Sequence, residues 1–565
     1  MKRYLPFIFT LAVALPLAAA DAPQQKPDDV SKLVLSVDVR VVSVDVVVLD
    51  KKGKPVTGLK PEDFVVFDNG QQKPISNFYE VVERQVIDRS TPPPDAAPAE
   101  PQSEPQETAP LSERALQRRF VFFIDNLSLA PFNRKPIFKE MQKFIDENLA
   151  EGDRAMIATF NRDLKIRVPF TNDHTYLKQT LDIIAEENAF GLQNLSERRS
   201  AETQIRDSKT YEEALGVARS YAYSVENDLR QAVNAMKSLM TTLAGVDGKK
   251  VMVVTSEGLP IQPGRELFFF IDEIAASKQW RAKSSVMLEA THFDSHSLIQ
   301  SIAQSANANG VTLYTLHAGG LGASSSSSAE NQTATPPIVA NAALTNSQES
   351  LRMLAGMTGG VSTTGTNNFG GAFDRIKSDI SSYYSIGYRS GVERVDRQRA
   401  IDVKTRNKSY VVRSRKSFVE KSLYTEISDK VIANVYYQEQ ENPMGIVVTT
   451  GQARAAGDDR YTLPMEIRVP MENLAFLPTA AGMRGGFSVF IVVADDRGDM
   501  SDVQQQNHPL TLKEEELNEI KGKFYTYSVD LLMRKGRNRI SVALVDDVSK
   551  QIGYGTREVL AADLR

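Results

Sequence analysis

Arg118 and Arg119 lead into the apolar run Phe120, Val121, Phe122, Phe123 and Ile124, which stops at Asp125. A continuous bulky run that ends in a carboxylate reads as a parallel strand buried on both faces, with the acid delivered to the carboxyl edge of an α/β sheet. Open sheets of that kind place their ligand sites at this edge. Comparable runs follow at 154–160, 250–256 and 311–316, and a weaker one at 164–170 reads as an edge strand. Between them the apolar period changes to that of a helix. Ile137, Phe138, Met141, Phe144, Ile145 and Leu149 share one face of a helix expected to begin after Asn133, with Pro136 in its first turn. A second helix is expected over 176–187. Leu229, Val233, Met236, Leu239, Met240 and Leu243 form a stripe that stops at Gly245, and Leu298, Ile299, Ile302, Ala303 and Ala306 form one closed by Gly310. A helix over 347–356, a short strand near Val361 and a helix over 371–382 complete the alternation, while residues 190–224 are polar and give no clear element. Repeated βα units imply a doubly wound, mostly parallel sheet over 118–420.

The flanks follow a period of two. Val37, Val39 and Val41 alternate with polar residues, a run covers 44–49, and Asp68-Asn69-Gly70 is a hairpin signal, so residues 33–87 predict a small β-sandwich-like module. Runs at 383–388, 401–405 and 410–413 read as strands. Further runs at 431–437, 461–469, 486–493, 524–532 and 539–545 predict a second β-sandwich-like domain over 421–565. Residues 88–112 are rich in Pro, Ala, Glu and Gln and read as a disordered linker, and the Ser-rich segment 319–337 reads as a flexible insertion.

Composition narrows the setting. Lys2 and Arg3, a short apolar run and Ala18-Ala19-Ala20 predict a secretory signal peptide over residues 1–20, too short and too interrupted by Pro6 and Pro16 for a membrane anchor. No other apolar stretch is long enough to span a membrane, so the expected product is exported, to the periplasm or the exterior. The 565 residues contain no cysteine, which excludes disulfides, thiolate metal sites and a cysteine nucleophile. The formal charge is −4, and removal of the leader makes it more negative by two, which argues against nucleic acid as a partner.

Val46-Val47-Val48-Leu49-Asp50, Gly58-Leu59-Lys60-Pro61-Glu62-Asp63-Phe64 and Asp68-Asn69-Gly70 resemble the opening module of acidobacterial proteins related to the von Willebrand factor A domain. Tyr383-Tyr384-Ser385-Ile386-Gly387-Tyr388 and Arg413-Ser414-Arg415-Lys416-Ser417-Phe418 resemble the closing strands of the same unit. The resemblance covers residues 33–420 and implies a Rossmann-like A domain between β-rich parts, with a metal-ion-dependent adhesion site written Asp-x-Ser-x-Ser after the first strand. Matched from Asp125, the two serine positions hold Leu127 and Leu129, and Ser128 is out of register. The later acid is matched by Glu257 in Ser256-Glu257-Gly258, and Thr203 is the candidate for the remaining threonine. Two readings stand. Asp125, Ser128 and Glu257 hold a weakly bound magnesium with waters, or the site is degenerate, no cofactor binds and Asp125 organises its own loop.

His292 and His296 stand at helical i, i+4 spacing but lack the glutamate of a zinc-protease motif. Gly319-Gly320-Leu321-Gly322 leads into serines rather than a helix, and there is no Gly-x-Ser-x-Gly elbow. The expectation is therefore a non-enzymatic binding, adhesion or assembly protein of the cell envelope. Its protein partner would meet the carboxyl-edge loops at Asp125, Asn126, Leu129, Phe132 and Glu257; the alternative for the apolar Leu127, Leu129, Pro131 and Phe132 is that they pack inward against the first helix. The alternative is a secreted metal-dependent hydrolase using Asp125, Glu257 or the His292/His296 pair.

Overall fold

The computed structural model describes residues 41–90, 117–280, 285–320, 337–391, 395–438, 440–457, 459–479 and 482–562. The expected leader, most of the expected linker and the core of the Ser-rich insertion lie outside them. The chain divides into two compact units, one spanning 40–421 and the other containing 422–565.

The larger unit opens with β1 (Val41–Leu49), β2 (Phe64–Asp68), β3 (Gln71–Lys73), β4 (Ile75–Val82) and β5 (Gln85–Asp88). Next come β6 (Arg118–Asp125), α1 (Pro131–Asn148), β7 (Arg154–Asn161), β8 (Asp163–Thr171), α2 (His174–Glu186), α3 (Gly191–Asp207), α4 (Tyr211–Leu243) and β9 (Lys249–Ser256). Then follow α5 (Arg265–Lys278), α6 (Val286–Thr291), α7 (His296–Ala308), β10 (Val311–His317), α8 (Pro337–Thr358), β11 (Ser362–Thr363) and α9 (Phe369–Ser381). The unit closes with β12 (Ser382–Arg389), β13 (Gln398–Thr405), β14 (Val411–Arg413) and β15 (Ser417–Val419).

Six strands form one sheet in the order β11-β10-β9-β6-β7-β8. All pairs are parallel except that of β7 with β8, which is antiparallel at the edge. The order reverses between β6 and β9, and that switch point is where open α/β sheets build their sites. Every residue of β6 is buried, as its unbroken apolar run requires. Phe120 and Phe122 pack edge-on against Phe144 of α1. Each such ring contributes about 1.5–3 kcal/mol by leaving water.

Two expectations change here. Helix α1 begins at Pro131 rather than after Asn133, because a proline fits the first helical position, where no amide bond is lost. Pro136 therefore lies inside the helix. Residues 190–224, left without a clear element, fold as α3 and the first half of α4. With α5, α6 and Val339 of α8 these helices enclose a second core around Ile205, Leu215, Phe268, Ile271 and Phe293.

The closing strands do not join the parallel sheet. β12 lies between β1 and β4, giving the order β14-β1-β12-β4-β5, and β13 joins β15-β13-β2-β3. These two sheets share a core of Val44, Val46, Phe64, Phe78, Tyr384, Ile386 and Phe418. The β module is thus made from both ends of the unit. β13 alternates buried and exposed residues, as a strand covered on one face does, whereas β12 is buried on both faces, with Tyr384 and Ile386 in this core and Tyr383 in a small cluster with Val47 and Val81.

The smaller unit holds α10 (Leu423–Tyr437) followed by β16 (Val447–Thr450), β17 (Arg454–Gly457), β18 (Arg460–Pro470), β19 (Phe476–Thr479), β20 (Gly482–Asp495), β21 (Gln504–Leu512), β22 (Phe524–Arg534), β23 (Gly536–Asp546) and β24 (Ile552–Ala561). The run at 431–437, expected as a strand, is the end of α10. Its Ile427, Val431 and Val435 recur every four residues and pack on Phe490 and Val492. Strands β16, β17, β18 and β22 form one sheet, and β19, β20, β21, β23 and β24 the other. Their inner faces share a core that includes Leu463, Ile467, Phe487, Val489 and Leu544.

Candidate functional site

Parallel pairing places Asp125 at the end of β6, Ser256 at the end of β9 and His317 beside Ser256 at the end of β10. The Asp125 carboxylate is buried and accepts two hydroxyl bonds at one oxygen, from Ser128 at 2.6 Å and Ser256 at 2.7 Å. Its other oxygen accepts from the Ser128 amide at 3.3 Å. The two serine hydroxyls lie 3.0 Å apart. Each also accepts a backbone amide, Ser128 from Glu257 at 3.0 Å and Ser256 from Gly258 at 2.9 Å. Burial pushes the Asp125 carboxyl above its ordinary range, and the hydroxyl bonds partly oppose the rise.

Glu257 turns away from this group. One carboxylate oxygen accepts the Ala130 amide at 2.6 Å and the Asn133 side chain at 2.8 Å, so the acid sits at the amino end of α1. That position is favourable for a negative charge. Burial still raises its pKa, and the Asp125 charge adds to the rise.

A magnesium ion needs near-octahedral oxygen coordination. Here one Asp125 oxygen is already taken by two donors, Glu257 faces a helix end, and Leu127 and Leu129 are buried as core residues. The residues present do not fit that ion. Thr203, the candidate threonine, lies on α3, and its hydroxyl donates to the Arg199 carbonyl one turn back. Among the described residues no three His, Asp or Glu side chains come together as a metal-binding group.

Burial revises the expected partner surface. Leu129 is fully buried beneath α1, where its side chain joins the main core. Asn126 is also buried, and its oxygen accepts from Arg134 at 3.1 Å. Asp125 is held inside the hydroxyl group just described. Leu129, Asn126 and Asp125 are therefore not presented to a partner: an apolar loop beside a helix start gains more from the core than from water. Phe132 is the exception at 65% exposure, on the first turn of α1. A hollow of about 530 Å³ lies beside it, lined by Pro131, Phe132, Lys135, Ala185 and Glu187 among others. The buried Arg134 is among the residues that line it and donates to the carbonyls of Ala185 and Glu187 at 3.1 and 2.5 Å.

The rest of the edge is covered from above. Helix α3 starts against the β6–α1 loop: the Phe190 amide donates to Asn126 at 2.9 Å, the Gly191 amide to Leu129 at 3.0 Å, and the Asn194 side chain to Leu127 at 2.9 Å. A Cβ on Gly191 would come within 2.5 Å of the Ser128 and Leu129 backbones, so this approach requires glycine. The loop 257–264 is tied to α8 by a reciprocal pair, the Gln262 amide to Asn346 at 2.9 Å and Asn346 to the Gln262 carbonyl at 2.7 Å.

His317 is buried with its Nδ1 lacking a hydrogen-bond partner, and burial lowers its pKa to about 4. Sequence reading passed over it because one histidine ending a strand carries no motif. Arg134 was missed for a similar reason, although an arginine within an apolar helical stripe is a signal in itself. His292 and His296 are not on one helix turn. His292 caps the end of α6 with its side chain 69% exposed, and His296 begins α7.

No family model matches the chain, and no curated protein matches it. Among solved structures, similarity is found to an aerotolerance-related membrane protein from Bacteroides fragilis, at 11% identity and a TM-score of 0.22, over 46% of this chain and 98% of that one. BatB from Bacteroides thetaiotaomicron is 12% identical with a TM-score of 0.22, over 47% and 97%. The von Willebrand factor domain of the type V pili tip protein Mfa5 from Porphyromonas gingivalis is 14% identical with a TM-score of 0.24, over 47% and 95%. Superpositions this loose assign neither a family nor a function. No helix among the described residues is long and apolar enough to cross a membrane.

Proposed function

We propose that this chain is an exported, non-enzymatic binding or assembly protein of the cell envelope. Its central domain is von Willebrand factor A-like with a degenerate metal site. The observation that carries the reading is the switch-point edge, where Ser128 and Ser256 satisfy Asp125 with hydroxyl protons. Such a group organises loops without an ion, and it leaves Phe132 exposed on a rigid helix start beside a hollow. Rigid aromatic side chains next to concave surfaces are the usual anchors of protein interfaces. The strand order and the opening and closing motifs support the A-like assignment. The leader-like first twenty residues support export.

Affinity capture from an envelope fraction tests this. The mature protein, kept in chelator, retains one protein in stoichiometric amount, and Phe132→Ala loses it while unfolding normally. Stoichiometric zinc in the purified protein, with capture unchanged in Phe132→Ala, would favour the hydrolase reading instead.

A further inference from the structure

In the smaller unit, β22 pairs with β18 along its whole length, while β16 and β17 take the other side of β18. No described strand pairs with the free side of β22. An edge strand presents a row of unpaired backbone donors and acceptors, and proteins usually blunt it with proline, charged side chains, a bulge or short length. The other edges here follow that rule. β21 carries Pro509, β16 and β17 are four residues each, and β24 carries Arg557 and Glu558. β22 has eleven residues, no proline and no lysine, and its mid-strand charge is the single Asp530. It also exposes Phe524 at 53% and leaves Tyr525, Tyr527 and Val529 only partly covered by the core.

We propose that β22 is a homodimer edge, pairing antiparallel with β22 of a second copy about a two-fold axis at Val529. The sequence of the strand is complementary to itself in that register. Opposite residues in an antiparallel pair point to the same face, which fixes the partners. On the inner face Tyr525 meets Met533, Tyr527 meets Leu531, and Val529 meets itself, so apolar side chains extend the shared core. On the outer face Ser528 meets Asp530 and can donate to it, Thr526 meets Leu532, and Phe524 meets Arg534. No like charges face each other, and the Arg534 opposite Phe524 is already neutralised by Asp495 and Asp499, at 3.2 and 2.7 Å. A two-fold contact of this kind uses one patch twice and closes on itself, so it yields a dimer rather than a fibre.

Because the chain has no cysteine, introduced thiols report the register directly. Ser528→Cys and Asp530→Cys are both on the exposed face and leave the core untouched. Opposed Cβ atoms lie about 4.5–5.5 Å apart, near disulfide reach, whereas diagonal positions are about 7–8 Å apart. Mild oxidation of an equal mixture of the two variants is expected to give a covalent dimer at least ten times faster than either variant alone. Sedimentation of the unmodified full chain is expected to show a dimer at micromolar concentration. A monomer at all concentrations would overturn the proposal. So would a dimer in which the mixture cross-links no faster than the single variants, since that dimer would use another surface or register.

Discussion

Ser256, at the end of β9, donates its hydroxyl proton to Asp125, at the end of β6, across 2.7 Å at the point where the sheet order reverses. The bond joins the two strands that would otherwise share a ligand. Ser256→Ala removes one donor from a buried carboxylate, and such a loss costs about 1–3 kcal/mol. Urea unfolding at neutral pH should show a destabilisation in that range. An unchanged midpoint would mean that Ser256 is not a needed partner of Asp125.

Magnesium should not stabilise the protein. A ligand that binds only the folded state stabilises it by an amount set by its concentration over its dissociation constant. With Asp125 satisfied by hydroxyls and Leu127 and Leu129 in the core, thermal unfolding with and without millimolar magnesium should agree to within about 1 °C. A rise of several degrees that disappears in Asp125→Ala would show that the hydroxyl group rearranges to admit the ion.

The two apolar loop residues should separate cleanly. Leu129 is fully buried and Phe132 is 65% exposed. Leu129→Ala should cost about 2–5 kcal/mol, as core truncations do. Phe132→Ala should stay within about 0.5 kcal/mol, as exposed substitutions do. Chemical denaturation of both variants checks this, and comparable losses would place Phe132 in the core as well.

How much of this was legible depends on the kind of signal. Strands β6, β9 and β10 announced themselves because burial on both faces leaves mostly apolar residues. The Asn69-Gly70 hairpin did so because both residues take positive φ, at 46° and 80°. Helix α3 was hidden: it buries Gly191, Ala201, Glu202 and Ile205, a set with little apolar bulk. The first half of α4 buries Ala214, Leu215, Ala218 and Ala222, and small residues leave a faint stripe. The cap over the switch point was therefore invisible, and with it the burial of Asn126. Asp125 and Glu257 were found from position alone, but that Ser256 would close on Asp125 is a contact between residues 131 positions apart.

Gly191→Ala tests the cap. The added methyl would meet the Ser128 and Leu129 backbones, so α3 must move or the loop must yield. Overpacking of this kind costs about 1–3 kcal/mol. Hydrogen exchange should show faster exchange at the Phe190 and residue 191 amides, which bond to Asn126 and Leu129. Unaltered exchange there would mean that α3 does not rest on the loop.

His317 gives the fold a pH dependence. Its folded pKa of about 4 lies below the ordinary histidine value of 6.5, so between these limits the unfolded chain binds more protons. Its contribution is complete above pH 6.5, declines as the pH falls, and is gone near pH 4. The full span is at most about 3 kcal/mol. Urea midpoints measured from pH 7 to pH 4 should fall less steeply in His317→Gln than in the parent. Parallel slopes would contradict a buried neutral His317.

The central claim is that the surface around Phe132 meets a protein partner, and site-specific photocross-linking in cells tests it most directly. A photoreactive residue at position 132 is compared with one at Tyr176, which is 47% exposed on α2. The account predicts a single discrete adduct from position 132, undiminished by chelator, and none from position 176. No adduct from position 132, or the same adducts from both positions, would contradict it.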